Sequence, residues 1–339
     1  MAADGPRIAL IKLSSLGDVI HALPVAATLR AARPVARLTW IAERREATLL
    51  RAHPALDEVI VADTRGWRRA RTLPALRAAV ADARALRRRL AALRADVALD
   101  LQGLVKSGLL VAACRAPVRI GFDRRVSREP LGAVFTNRHV LPPPTARHVV
   151  EQYLALLAPL GIAERRLEFR LPVVGAAEAG IDDWLAAHGL KPQRRLVVVN
   201  PGAGRADKRW PVSHFAALAR ALAQDAGADV VVAWGPGEES AALGIVDGAA
   251  TAGVLLAPPT DLAALIALLR RASVMVAADT GPLHLAAALG TPCVGLYGPT
   301  SPERNGPYGA GHRGLASPDG RMASLAPAAA LSAVGEVLA

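Results

Sequence analysis

Apolar runs of strand length alternate with stretches of helical period along the whole chain. This alternation limits the folds open to it more than any single motif. In the first half the runs are Arg7–Leu13, Leu38–Ala42, Glu58–Ala62, Val97–Leu101 and Val118–Phe122. In the second half they are Leu196–Asn200, Ala228–Trp234, Val254–Ala257, Val274–Ala278 and Cys293–Tyr297. Helical segments such as Val19–Ala32 and Leu73–Ala95 lie between them. Near-continuous apolar strands separated by helices predict an α/β protein with parallel sheets covered on both faces. A length of 339 residues suits two domains better than one core. The Pro-rich Leu141–Pro144 precedes a helix over Ala146–Leu160, Leu171–Gly180 reads as a linker, and Leu325–Leu338 as a last helix.

Aromatic residues make up only 4% of the chain, so the cores must be built from Ala, Leu and Val. Cys114 and Cys293 lie far apart inside apolar runs, which favours buried, reduced thiols in a cytosolic protein over a disulfide or metal site. The start, MAADGPRIALIKL, carries Asp4, and its apolar run is broken by Lys12, unlike a signal peptide. No uncharged apolar stretch reaches the ~18 residues of a membrane span, so membrane contact is expected only at a surface.

The net charge is +12, and of 41 basic residues only Lys12, Lys106, Lys191 and Lys208 are lysine. In an arginine-rich background a lysine stands out, because its compact charge is not copied by guanidinium. The densest basic region, Arg65–Arg94, holds ten arginines against one acid, Asp82. Arg84, Arg87, Arg88 and Arg94 fall at near-helical spacing. They make either a solvated helix face or a patch for an anionic membrane surface or a phosphorylated lipid. Nucleic acid is disfavoured, since no aromatic interleaves the run after Trp67.

Four polar clusters fall at expected strand C-termini, where open α/β sheets bind ligands. The first is Lys12–His21, KLSSLGDVIH, with a single glycine rather than the G-x-G-x-x-G of a dinucleotide fold. Asp18 either caps the following helix or serves as a general base, and the helix N-terminus favours its charged form. His21, one turn on, is as readily a packed histidine as an active one. The second, Asn200–Pro211, offers glycines for close approach to phosphate and Lys208 for charge, or is an ordinary strand–helix loop. The third, Trp234–Glu239, offers a carboxylate for ribose hydroxyls or a first-turn helix acid. The fourth runs from Val274 to Tyr308. There Thr280 or Asp279 can cap a helix, Pro282 suits its first turn, and the N–H groups behind Gly281 can hold an anion. No His/Cys/carboxylate cluster has metal-ligand spacing.

These residues resemble glycosyltransferase family 9, the lipopolysaccharide heptosyltransferases, across nearly the full chain. The matching pieces are KLSSLGDVIH at Lys12–His21, DKRWP at Asp207–Pro211, WGPGEE at Trp234–Glu239, DTGPLHLAAAL at Asp279–Leu289 and LYGPT at Leu296–Thr300. The Ser-Ser before Leu-Gly-Asp, DLQGLVKS at Asp100–Ser107 and SREPL at Ser127–Leu131 resemble the type I branch.

The resemblance implies a GT-B fold, in which two Rossmann-like domains present parallel sheets to an interdomain cleft. Residues 1–170 would bind acceptor and residues 171–324 the nucleotide sugar, with a terminal helix, 325–339, packing back toward the first half. It implies ADP-L-glycero-D-manno-heptose as donor and the Kdo of Kdo-lipid A as acceptor, with inversion. By the same resemblance Asp18 is the general base and Lys208 contacts donor phosphate or sugar. Gly202, Gly204, Asp279, Thr280, Gly281 and His284 line the donor site, and Glu238 binds ribose. Ser14, Ser15, Gly17, Lys106 and Arg124 fall on the acceptor side. One departure is Ala203-Gly204, where type I enzymes often carry hydroxyl residues, so phosphate contact there falls to backbone N–H groups. No cofactor and no required metal are implied, and no nucleic acid partner. The expected location is cytoplasmic, peripheral on the inner membrane's cytoplasmic face, with its anionic surface as a partner. Alternatives are heptosyltransferase II or another family 9 core transferase, a nucleotide-sugar epimerase of the same fold, and a basic nucleotide-binding adaptor.

Overall fold

Every strand pairing among the described residues is parallel, as the near-continuous apolar strands require. The computed structural model describes residues 5–190 and 193–339, so Asp4 and Lys191 lie outside the described residues. The chain divides into two compact units at Arg170/Leu171.

The first unit contains β1 (Arg7–Ile11), α1 (Leu16–Ala32), β2 (Arg37–Ala42), α2 (Arg44–Leu50), β3 (Glu58–Val61), α3 (Thr64–Arg69) and α4 (Leu73–Ala92). It continues with β4 (Val97–Asp100), α5 (Val105–Ala113), β5 (Val118–Phe122), a 3-10 turn at Pro130–Phe135, β6 (Arg138–Val140) and α6 (Val149–Ala155). The sheet order is β3-β2-β1-β4-β5-β6, that of a dinucleotide-binding fold. The second unit contains β7 (Leu196–Asn200), β8 (Asp229–Val232), β9 (Val254–Leu256), β10 (Val274–Ala278), β11 (Cys293–Tyr297) and β12 (His312–Ala316). Its helices are α7 (Gly175–Ala187), α8 (Val212–Gln224), α9 (Glu239–Ala249), α10 (Leu262–Arg271), α11 (Gly281–Ala288), α12 (Pro302–Asn305) and α13 (Pro327–Leu338). Its order, β12-β11-β10-β7-β8-β9, repeats the first topology.

In each sheet the chain reverses its direction of winding beside the first strand, between β1 and β4 and between β7 and β10. Side chains just beyond those strand ends meet at the place where such folds bind ligands. Register makes this concrete: Ile11 pairs with Ile41 on one side and Asp100 on the other. Strands β1 and β4 therefore end level, and Lys12 and Leu101 begin adjacent loops. Fully buried Leu10, Ile11 and Trp40 anchor that sheet, each worth roughly 1.5–3 kcal/mol.

Two expectations change. The short edge strands β6 and β12 were not apparent, because exposed, polar edge positions carry no apolar run. The expected linker is extended only over residues 171–174, after which α7 forms; Ile181 is its one buried residue, so its pattern is weak. The last helix commits its apolar face to the second unit's core, where Ala330, Ala333 and Val334 pack with Val276 and Leu296. Both cysteines are free and buried, and burial pushes the Cys114 thiol up to about 12.

Candidate active site

The first polar loop leaves β1 at Lys12 and enters α1 at Leu16. Ser15 is the N-cap, and its N–H and Oγ donate to Asp18 Oδ2 at 3.0 and 2.9 Å. Asp18 thus completes a capping box with one oxygen. Its other oxygen, Oδ1, accepts from the Tyr153 hydroxyl at 3.4 Å and lies 3.8 Å from Lys12 Nζ. Lys12 is buried, and its ammonium donates to Tyr153 Oη at 2.6 Å and to the Leu101 carbonyl at 3.1 Å. One oxygen of this carboxylate caps the helix, and the other faces Tyr153 and Lys12.

Burial pushes the Asp18 carboxyl up, but Lys12, the Ser15 hydrogen bonds and Arg128 outweigh it and hold the group below the usual carboxylate range. The side chain keeps 21% exposure, enough to meet a ligand hydroxyl while ionised.

The Asp-Leu-Gln-Gly segment at the end of β4 braces this loop. Gln102 Oε1 accepts from Leu13 N at 2.7 Å, and its Nε2 donates to the Ser14 carbonyl at 3.0 Å. Asp100 accepts from the N–H groups of Gln102 and Gly103 and from Ser107 Oγ at 2.9–3.0 Å. Burial pushes Asp100 above its ordinary value, and those three donors oppose the rise.

The expected acceptor-side residues separate. Ser15 is exposed, Ser14 half-buried, and Gly17 buried in α1. Lys106 sits half-buried in the first turn of α5, its ammonium pushed down by burial and supported by Glu43. Arg124 is exposed in the turn after β5; of that segment it is Arg128 whose charge reaches Asp18. His21 is packed edge to face against His148, ring centroids 5.2 Å apart, and His148 caps α6. This is the packed reading of His21.

In the second unit Lys208 and Asp279 follow the two strands flanking the switch point. Lys208 Nζ donates to Asp279 Oδ2 at 2.6 Å, and His284 Nε2 lies 3.2 Å from Oδ1. An ionised carboxylate only accepts, so Nε2 carries the hydrogen. Burial raises the Asp279 carboxyl, but His284 and Lys208 outweigh it and hold the group far below the carboxylate range. Asp279 therefore holds Lys208 in place, and each of its oxygens has a partner. Thr280 is the N-cap of α11, Gly281 its first residue, and Thr280 Oγ1 is buried with no partner among the described residues. An unsatisfied hydroxyl beside a helix N-terminus and a lysine is suited to an anion.

Glu238 is the N-cap of α9; its carboxylate accepts from Gly235 N at 2.9 Å and lies against Gly202, where a Cβ would displace it. Gly202 is small because of Glu238. Gly204 is exposed beside open space, so nothing around it demands glycine. Trp210 Nε1 donates to the Leu325 carbonyl at 2.9 Å and pins the loop that carries Lys208. Among the described residues no group of three His, Cys, Asp or Glu is placed to hold a metal ion, and no helix is long and apolar enough to cross a membrane.

The family model for glycosyltransferase family 9 (heptosyltransferase) matches residues 83–330. The chain belongs to glycosyltransferase family 9. This family 9 chain is 32% identical over 320 residues to lipopolysaccharide heptosyltransferase 1 of Escherichia coli O18:K1:H7, covering 94% of each. The structure of E. coli heptosyltransferase WaaC with ADP superposes with a TM-score of 0.81 at 30% identity, over 98% of this chain and 99% of that one. WaaC with ADP-2-deoxy-2-fluoro heptose gives 0.79 at 30% identity, over 97% and 99%. The protein is a glycosyltransferase of the GT-B fold. Two residues that surround Asp18 and its loop in this family 9 enzyme, Tyr153 and Gln102, lie outside the expected site. Lys12 carried a signal, as one of four lysines, whereas Tyr153 sits in an ordinary helical run.

Proposed function

We propose that this glycosyltransferase is a heptosyltransferase I, moving L-glycero-D-manno-heptose from its ADP conjugate to the Kdo of Kdo-lipid A with inversion. The observation that carries the reaction is Asp18, a partly exposed carboxylate kept ionised beyond the end of β1. The likeness to heptosyltransferase 1 over 94% of the chain supports the substrates.

The acceptor hydroxyl oxygen attacks the anomeric carbon while Asp18 Oδ1 takes its proton. The anomeric carbon–phosphate oxygen bond breaks from the opposite face, and ADP leaves with the electron pair. Lys208, the Thr280 hydroxyl and the N–H groups opening α11 meet the charge that gathers on the diphosphate. Glu238 takes the ribose hydroxyls. Asp279 and His284 act through Lys208, keeping its ammonium in place. No cofactor or metal has a part in this reading. Lys106 and Arg128 offer charge to the acceptor's phosphates, and the arginine-rich segment 65–94 keeps the enzyme on the anionic cytoplasmic face of the inner membrane.

The test is the product mass from ADP-heptose and Kdo-lipid A. A gain of one heptose supports the proposal. Product only from an already heptosylated acceptor makes this a type II enzyme, and conversion of the donor without acceptor makes it an epimerase or hydrolase; either overturns it.

A further inference from the structure

Helix α4 is 20 residues long, yet only Leu86 and Leu90, in its second half, are buried. Its first half exposes three large apolar side chains: Leu73 at 71%, Leu76 at 45% and Val80 at 48%. At about 100° per residue, these three share an arc of about 120° with Arg77, Arg84, Arg87 and Arg88. All four arginines are without an ion-pair partner among the described residues. The helix's one acid, Asp82, lies off this arc and accepts from Trp67 Nε1 at 2.7 Å, while Arg89, also off it, pairs with Glu58 at 2.8 Å. One face of α4 is thus leucine at its start, arginine along its length, and free of acid.

The position of this face matters as much as its chemistry. In a parallel sheet all strand C-termini share one edge. Helix α4 follows β3 and α3 and leads back into β4, so its first turns lie toward the edge that carries Asp18 after β1 and Lys106 after β4. The turn Pro130–Phe135, after β5, adds Leu131 and Val134 there, each 72% exposed.

We infer that the exposed face of α4 is a membrane-docking element, with Leu73, Leu76 and Val80 entering the interface of an anionic bilayer and the four arginines meeting lipid phosphates. Apolar side chains followed by unpaired cations match the headgroup–acyl boundary, and scattered exposed residues would not share one arc. The choice of a bilayer over a protein partner rests on the proposed lipid-borne acceptor, because docking by this edge brings Asp18 toward a sugar at the membrane surface.

The test uses flotation of the full chain with vesicles of phosphatidylethanolamine and phosphatidylglycerol that contain neither donor nor glycolipid. Leu73→Gln, Leu76→Gln and Val80→Gln together keep helix propensity at exposed positions and should weaken vesicle binding at least about tenfold with an unchanged thermal melt. Arg84→Gln, Arg87→Gln and Arg88→Gln together should weaken it and flatten its salt dependence. Vesicle binding by the glutamine triple variant equal to the parent's overturns the inference, as does equal parent binding to pure phosphatidylcholine. Loss of self-association in sedimentation with vesicle binding intact also overturns it, making the face a contact between copies. Because the vesicles need no turnover, failure here is distinct from failure to make the heptosylated product.

Discussion

A Tyr153 hydroxyl between a buried lysine and an aspartate is a small arrangement with a large effect on what the aspartate can do. Lys12 reaches Tyr153 Oη at 2.6 Å but stands 3.8 Å from Asp18, so its charge acts on the carboxylate without capping it. Lys12→Met leaves burial, which raises the carboxyl, less opposed, so the Asp18 pKa must move up. As the proposed base Asp18 works deprotonated, so the acid limb of kcat/KM should lie below the ordinary carboxylate range in the parent and move to higher pH in Lys12→Met; a limb that stays put removes Lys12 from this role. The stability sign agrees: a depressed carboxylate pKa stabilises the fold above the unfolded value of about 3.9, and the gain is lost as pH falls through the folded value. Tyr153→Phe keeps the ring but removes one hydrogen-bond partner from each charge. It should cost about 1–3 kcal/mol in denaturant melts and lower kcat with the donor KM unchanged.

At the scale of elements, the turn after β4 decides where the loop after β1 lies. Gln102 satisfies the Leu13 N–H and the Ser14 carbonyl, and Asp100 collects the turn's own N–H groups. Gln102→Ala leaves the Leu13 N–H buried without a partner, a loss of about 1–3 kcal/mol. If the brace also positions Asp18, turnover falls with stability; parental turnover at reduced stability would make it a structural brace alone. The Asp-Leu-Gln-Gly segment is part of the family resemblance, and its physical meaning is this brace. Gly202→Ala displaces the Glu238 carboxylate from Gly235 N, so affinity for ADP should fall while the fold persists.

At the scale of the molecule, the groups assigned to base and donor belong to different units. Asp18→Asn should therefore lower transfer by about 10²–10⁴-fold yet keep the ADP-induced rise in Tm. At ADP about 100-fold above Kd that rise corresponds to about 2.7 kcal/mol, and Lys208→Met should shrink it. The reverse pattern would move the donor site to the first unit.

The strand-length apolar runs by themselves determined two parallel α/β units and put Asp18, Lys208, Glu238 and Asp279 beyond strand ends, because periodicity and turn residues are local properties that a sequence displays directly. They could not show β6 and β12, whose edge positions lack an apolar run, or α7, whose single buried residue leaves little pattern. Nor could they pair Tyr153 with Asp18 across 135 residues, join Lys208 to Asp279, or hold Gly202 small for Glu238. Those partnerships depend on crossovers that carry distant elements to one switch point. Only the tertiary structure decided which carboxylate stays open to a ligand and which is held by its neighbours.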